Sequence, residues 1–143
     1  MQPLDPIGCG LPHREPFIFI DTVIELNPGH SAVCSRHFAP SEPFFRGHFP
    51  GNPLVPGVIL TEAAAQTAGI AAGEPGKTFH LSAIRQMKFL RPVLPDTTVE
   101  FTATKTAEAP GLLQFQVLAR ANGVPVAEGA IILNAVPQSN QPD

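Results

Sequence analysis

Two side chains in this 143-residue sequence have types and surroundings suited to moving protons, His48 and Glu62. They stand fourteen residues apart (62 − 48), and His48 belongs to the stretch Gly47-His48-Phe49-Pro50-Gly51-Asn52-Pro53-Leu54-Val55-Pro56-Gly57. Three prolines and three glycines in those eleven residues set an irregular, stiff backbone that can hold one side chain still and let a ligand approach closely. Phe45 and Phe49 flank the histidine and are expected to wall off water. Glu62 follows one and a half turns into an apolar segment. A carboxylate buried there is costly if charged and alone, so it must find a partner or keep its proton. One that keeps its proton near neutral pH is suited to donating it. A structural ion pair is the competing reading for Glu62, though few cations lie near it in sequence. Gln66, at i+4 on the same helix face, is placed either to orient Glu62 through its amide or to fill the core.

The start of the helix supplies a third element. Pro56 has no N–H, so the first free amides belong to Gly57 and Val58, at the positive end of the helix dipole. Such amides can hydrogen-bond a carbonyl oxygen that gains negative charge as its α-carbon is deprotonated. A histidine, these amides and a protonatable glutamate together suit abstraction of an α-proton with loss of a β-leaving group. His48 and Glu62 are then the catalytic residues; Gly57, Val58 and Phe49 are the substrate-binding ones; Gln66 is a support for Glu62. His30, His37 and His80 lie in strand or turn contexts without a visible partner and read as structural. His13 reads as ordering the N-terminal segment through a local hydrogen bond.

These groups need a scaffold. Phe17 to Leu26 (FIFIDTVIEL) is rich in β-branched and aromatic residues and is closed by Asn27-Pro28-Gly29. Further strands are expected at Ser31 to Phe38, Phe79 to Phe89, Val99 to Thr106, Leu112 to Ala121 and Val124 to Asn134. Asp96-Thr97, Pro110-Gly111 and Asn122-Gly123 are turn signals between them, the last a strong hairpin dipeptide. One segment reads as helical: Val58 to Ala72, begun by Pro56-Gly57 and stopped by Gly73. It is apolar nearly all round, which predicts a helix surrounded by protein. The expected architecture is α+β, with antiparallel strands curling around one central helix. A single domain over residues 1–136 is expected, followed by a frayed polar tail from Pro137 to Asp143.

The composition, 43% hydrophobic and 15% charged with a net charge of −3, fits a folded globule and gives no sign of a nucleic-acid or membrane-surface partner. Cys9 and Cys34 are far apart and read as free thiols of a reducing compartment. Met1 to Gly10 has neither the basic start nor the apolar run of a secretory signal, and Val55 to Ala72 is too short and too polar to span a bilayer. A soluble cytoplasmic protein is expected. No ligand cluster for a metal is visible, and no cofactor is expected. Arg85, Lys88 and Arg91 form a local basic cluster in an acidic chain, either a docking patch for an acidic partner or a strand edge protected by charge.

Four blocks of the sequence resemble a known family. Leu11-Pro12-His13-Arg14-Glu15-Pro16-Phe17 is the first, and Glu42-Pro43-Phe44-Phe45-Arg46-Gly47-His48-Phe49-Pro50-Gly51 the second. Pro56-Gly57-Val58 with Glu62-Ala63-Ala64-Ala65-Gln66 follows, then Met87-Lys88-Phe89-Leu90-Arg91-Pro92-Val93. In this order and spacing they resemble the FabZ-type 3-hydroxyacyl-[acyl-carrier-protein] dehydratases of dissociated fatty-acid synthesis. The resemblance implies a hotdog fold and conversion of (3R)-hydroxyacyl thioesters on acyl carrier protein to trans-2-enoyl thioesters. It implies a homodimer in which His48 of one subunit meets Glu62 of the other, often assembled further into a trimer of dimers. His48 would take the α-proton, Glu62 would help the β-hydroxyl leave directly or through water, and the Gly57 amide would bind the thioester carbonyl. Arg85, Lys88 and Arg91 would dock the carrier protein, and no metal or organic cofactor is implied.

The sequence also departs from that pattern. Glu15 stands where the family often has an aromatic residue, Val55 where it usually has Met, and Leu90 where Arg is common. The chain has no tyrosine, so the tyrosine that often gates the acyl tunnel is absent or replaced. The isomerising relative of the family carries Asp in place of Glu62. Two alternatives share the scaffold, a hotdog thioesterase and a non-catalytic acyl-binding subunit. The first needs a positioned water or nucleophile, and no acidic residue replaces His48; the second would be expected to lose the His48/Glu62 pair.

Overall fold

The computed structural model describes residues 2–137. Along the chain come β1 (Thr22–Asn27), β2 (Ser31–Phe38), a 3-10 turn (Pro43–Arg46), α1 (Gly57–Ala72), β3 (Lys77–Phe89), β4 (Thr97–Ala109), β5 (Leu112–Ala121) and β6 (Val124–Pro137). Asn27-Pro28-Gly29, Pro110-Gly111 and Asn122-Gly123 close hairpins as expected, whereas Asp96-Thr97 leads into β4 from β3, a strand that pairs with β6 instead. Asn122 and Gly123 have φ values of 53° and 76°, and Ala121 pairs with Val124 across them. Two positive φ angles are what a type I′ turn requires, and Asn-Gly meets that demand at least steric cost.

All pairings are antiparallel, and the sheet order is β1-β2-β4-β5-β6-β3. Strands β4 and β5 alternate with period two: Val99, Phe101 and Ala103, then Leu113, Phe115, Val117 and Ala119, turn inward and are buried. Helix α1 lies against this inner face, chiefly across β4. Its alanines let it come close, and Phe101 and Phe115 are fully buried around it. Each such phenylalanine contributes about 1.5–3 kcal/mol by burial. The hydroxyls of Thr61 and Thr67 would be orphaned in this apolar setting, and each donates back to the backbone, to the Gly57 and Ala63 carbonyls at 2.9 Å. Cys34 of β2 is buried too, and burial pushes its thiol up to about 12, against a smaller lowering by its hydrogen bond to Thr67. A six-stranded antiparallel sheet wrapped on one helix is the hotdog arrangement.

Strand β3 is built differently. It is an edge strand, and none of its residues is buried; Leu81, Ile84 and Phe89 are 39%, 52% and 52% exposed. Its ladder with β6 is broken by irregularities between Leu81 and Ala83 and between Ile84 and Gln86. Gly129 of β6 lies so close beneath that a Cβ there would come within 2.0 Å of the Gln86 carbonyl oxygen.

Three expectations are corrected here. The strand expected from Phe17 begins only at Thr22, because the backbone of Phe17 and Phe19 bonds to the Gln66 side chain instead of to a neighbouring strand. The helix is not enclosed on every side: Val58 is 76% exposed. Pro137 is not tail but the last residue of β6, paired with Lys77; the rest of the expected tail lies outside the described residues. Among the described residues no helix is long and apolar enough to cross a membrane.

Candidate active site

The loop before α1 is closed by its own hydrogen bonds. The Gly47 amide continues the 3-10 turn by donating to the Phe44 carbonyl at 3.1 Å, the His48 amide donates to the same oxygen at 2.9 Å in a wider turn, and the Asn52 amide donates to the Phe49 carbonyl at 2.8 Å. The turn is anchored from β2 by Arg36, whose guanidinium meets Glu42 and Asp21 and lies over the rings of Phe19 and Phe38. The His48 ring is half-buried, and its Nδ1 is 2.9 Å from the Leu54 carbonyl oxygen. A carbonyl oxygen only accepts, so Nδ1 carries a proton in that bond. In the neutral ring Nε2 is then left with a lone pair, as a base requires.

His48 opens on a cleft of about 320 Å³ lined also by Leu54, Val55, Gly57, Leu60 and the Phe89–Val93 segment. The amides of Gly57 and Val58 have no backbone acceptor among the described residues, and Pro56 makes no side-chain cap. The Phe89 ring lies over Gly57, so a Cβ at that position would meet its carbons at 3.0 Å. Glycine thus keeps the cleft open and its amide bare beside His48. Two expected neighbours stand elsewhere. The Val58 side chain projects out of the chain and does not line the cleft, leaving only its backbone amide at the helix start. Phe49, at φ 66°, has its ring centroid 4.4 Å from that of His48 but is 56% exposed, so within one chain it covers the imidazole without sealing it.

Glu62 is not fully buried in the chain; its side chain is 20% exposed. Its Oε1 lies 3.5 Å from Gln66 Nε2 and 3.5 Å from His13 Nε2. Gln66, 1% exposed, also donates to the Phe17 carbonyl and accepts from the Phe19 amide, both at 3.0 Å. It therefore joins the two roles offered for it, core filling and contact with Glu62, by stapling the N-terminal segment onto α1. That staple brings His13 to the carboxylate, which corrects the local bond expected for it; the local bonds are made by Arg14, to the Leu11 and His13 carbonyls. The pairing was hidden because His13 and Glu62 are 49 residues apart (62 − 13), and only the block containing His13 hinted at it. His37 also has partners not visible in sequence, Asp96 at 3.0 Å and the Thr98 hydroxyl at 3.0 Å.

No contact joins His48 to Glu62 within the chain. Gly57, which faces the His48 cleft, precedes Glu62 by five residues, which is about 140° around the helix and about 7.5 Å along it. Gly57, beside the His48 cleft, and Glu62 thus look out on different sides of α1. Of the three basic residues, Arg91 separates from the other two. Arg91 lines the His48 cleft, whereas Lys88 lines a groove of about 260 Å³ with Gln86, Gln114 and Glu128 on the other face of the sheet. Arg85, the extra residue at the irregularity between Ile84 and Gln86, bonds Gln114 at 3.1 Å. Among the described residues, no group of three or more His, Cys, Asp or Glu side chains gathers to hold a metal.

A family model described as ApeI-like, ApeI dehydratase, matches residues 25–130. The 3-hydroxyacyl-[acyl-carrier-protein] dehydratase FabZ of Acetivibrio thermocellus is 42% identical over 125 residues, covering 85% of this chain and 86% of that protein. The FabZ of Acidiphilium cryptum is 39% identical over 124 residues, covering 82% of this chain and 75% of its own length. Among solved structures, the dehydratase heterocomplex ApeI:P from Xenorhabdus doucetiae superposes with a TM-score of 0.77 over 94% of this chain and 92% of that one, at 14% identity, a likeness of fold alone. With a hotdog scaffold, an oriented histidine beside bare helix amides, and this degree of identity along most of its length, the chain belongs to the FabZ family of 3-hydroxyacyl-[acyl-carrier-protein] dehydratases, which are hydro-lyases.

Proposed function

We propose that the chain dehydrates (3R)-hydroxyacyl thioesters carried on acyl carrier protein, in fatty-acid or related lipid biosynthesis, with His48 as base and Glu62 as acid. The observation that carries this is the bond between His48 Nδ1 and Leu54 O, which leaves Nε2 as the free lone pair of a ring lining the cleft that Gly57 also lines. Nε2 takes the α-proton, and the thioester carbonyl oxygen accepts a hydrogen bond from the Gly57 amide as charge develops on it. One such donor is worth about 10²–10³ in turnover. The C–O bond to the β-hydroxyl then breaks, Glu62 gives its proton to the departing oxygen directly or through water, and water and the trans-2-enoyl thioester leave.

Because no contact joins the two residues within one chain, the reaction takes His48 from one subunit and Glu62 from the other in a dimer. Two features support such a homodimer: the β3 edge with its exposed Leu81 and Ile84, and the exposed Val58 on the Glu62 side of α1. A trimer of dimers is compatible with the same unit. Arg91, at the mouth of the His48 cleft, is the basic residue best placed to meet an acidic carrier protein, with Arg85 and Lys88 outside it. Reversing the charge of Arg91 is expected to raise KM for carrier-linked substrate; folded variants with unchanged KM would remove that role. The reaction itself is tested by incubating the protein with a 3-hydroxyacyl carrier-protein series, following enoyl product and free acid separately. Enoyl formation is expected, and free acid without enoyl would reject dehydration.

A further inference from the structure

We propose that His13 is a positioning residue for Glu62, donating from Nε2 so that the proton Glu62 transfers sits on Oε2; this rests on reading Glu62 as the acid. Two side-chain nitrogens approach the same carboxyl oxygen, His13 Nε2 and Gln66 Nε2, each 3.5 Å from Oε1. Gln66 Nε2 is a donor only, since its own oxygen is occupied by the Phe19 amide. The other ring nitrogen of His13 settles what Nε2 is. His13 Nδ1 is buried and has no hydrogen-bond partner among the described residues. A proton on Nδ1 would bury an orphan donor, whereas a proton on Nε2 points at the carboxyl group. A carboxyl oxygen that accepts from two N–H groups cannot also carry the acidic hydrogen towards them, so the O–H is assigned to Oε2.

The setting keeps this arrangement in place. The His13 ring is stacked on Phe17 at 6.3 Å with 21° between the planes. Arg14 ties back to the Leu11 and His13 carbonyls, and Gln66 fastens Phe17 and Phe19 to the helix that bears Glu62. Both sides of the contact come from one chain, so the acid is aimed before any second copy arrives.

The test has a spectroscopic and a kinetic arm. In the protein labelled with 15N-histidine, the His13 resonances (identified by their loss in His13→Gln) are expected to show the neutral Nε2–H tautomer near pH 7; a protonated Nδ1 would overturn the proposal. His13→Phe keeps a ring on Phe17 but removes the donor, and should lower kcat about tenfold to a hundredfold with KM within about twofold. His13→Gln, whose amide nitrogen can replace Nε2, should stay within about threefold of wild type. A folded His13→Phe with wild-type kcat, or a His13→Gln no better than it, overturns the positioning role while leaving Glu62 as acid. Near-normal turnover by Glu62→Gln would instead overturn the acid role on which the positioning depends.

Discussion

The two sides of α1 are finished to different degrees. At its N-terminal end the His48 loop closes on itself through the Phe44, Leu54 and Asn52 bonds, and Val55 is bound to Val93. The orientation of the His48 ring and the bare amides beside it are all set by residues of one chain. On the side that carries Glu62, the N-terminal segment supplies His13 and its Phe17 neighbour, but Val58 stands 76% exposed. The difference teaches that the His48 half of the proposed centre is closed by one chain's own bonds, whereas the Glu62 half has neighbours from that chain but no cover over Val58.

The sharpest way to break that contrast is to remove each half in turn. His48→Ala and Glu62→Gln are each expected to lose two or more decades of turnover, about the contribution of a general acid or base, while staying folded by circular dichroism. Near-normal dehydration by either variant would remove its role. Next in size is the cover over the acid side. Val58→Glu puts a charge on the exposed face without touching the chain's own core, and should yield monomers by sedimentation velocity with at least about tenfold lower activity. A fully active dimeric Val58→Glu would show that this face is not the one covered.

Gly57→Ala perturbs the finished half alone. Its methyl would press on the Phe89 ring at 3.0 Å, and about a tenfold fall in kcat/KM is expected, with partial recovery in the Gly57→Ala/Phe89→Leu double variant. The smallest effect lies in the core behind both halves. Burial raises the Cys34 thiol from 9.0 to about 12, so folding favours its protonated form. Its contribution to stability is complete below pH 9 and falls as the pH rises towards 12. Urea titrations across that window should show a slope that Cys34→Ala flattens.

Much of the scaffold was legible because it is written in local chemistry. Turn residues bracket each hairpin, and the boundaries expected for β2 and β5 coincide with those observed. Helix α1 was legible from Pro56 to Gly73, and the loop's glycines and prolines marked His48. What escaped is whatever depends on a distant partner. Phe17 to Ile20 has every strand propensity, yet a single glutamine side chain from α1 takes the backbone bonds of Phe17 and Phe19. Strand β3 looks like its neighbours in composition, and only the sheet order makes it an exposed edge. Glu62 was expected to be fully buried because its sequence neighbours are apolar, but its side chain stays one-fifth exposed beside Gln66 and the distant His13. The helical periodicity separates it from Gly57 beside the His48 cleft, which linear spacing could not reveal.

The Gln66 staple also makes a clock. The Phe19 amide belongs to no strand or helix, yet it is buried and bonded to Gln66 Oε1 at 3.0 Å. In deuterated solvent it can exchange only when the N-terminal segment lifts from α1, the same opening that would carry His13 away from Glu62. Its exchange rate therefore counts how often the carboxyl group loses its His13 neighbour, and a protected amide in an otherwise irregular segment would report that count without any substrate present.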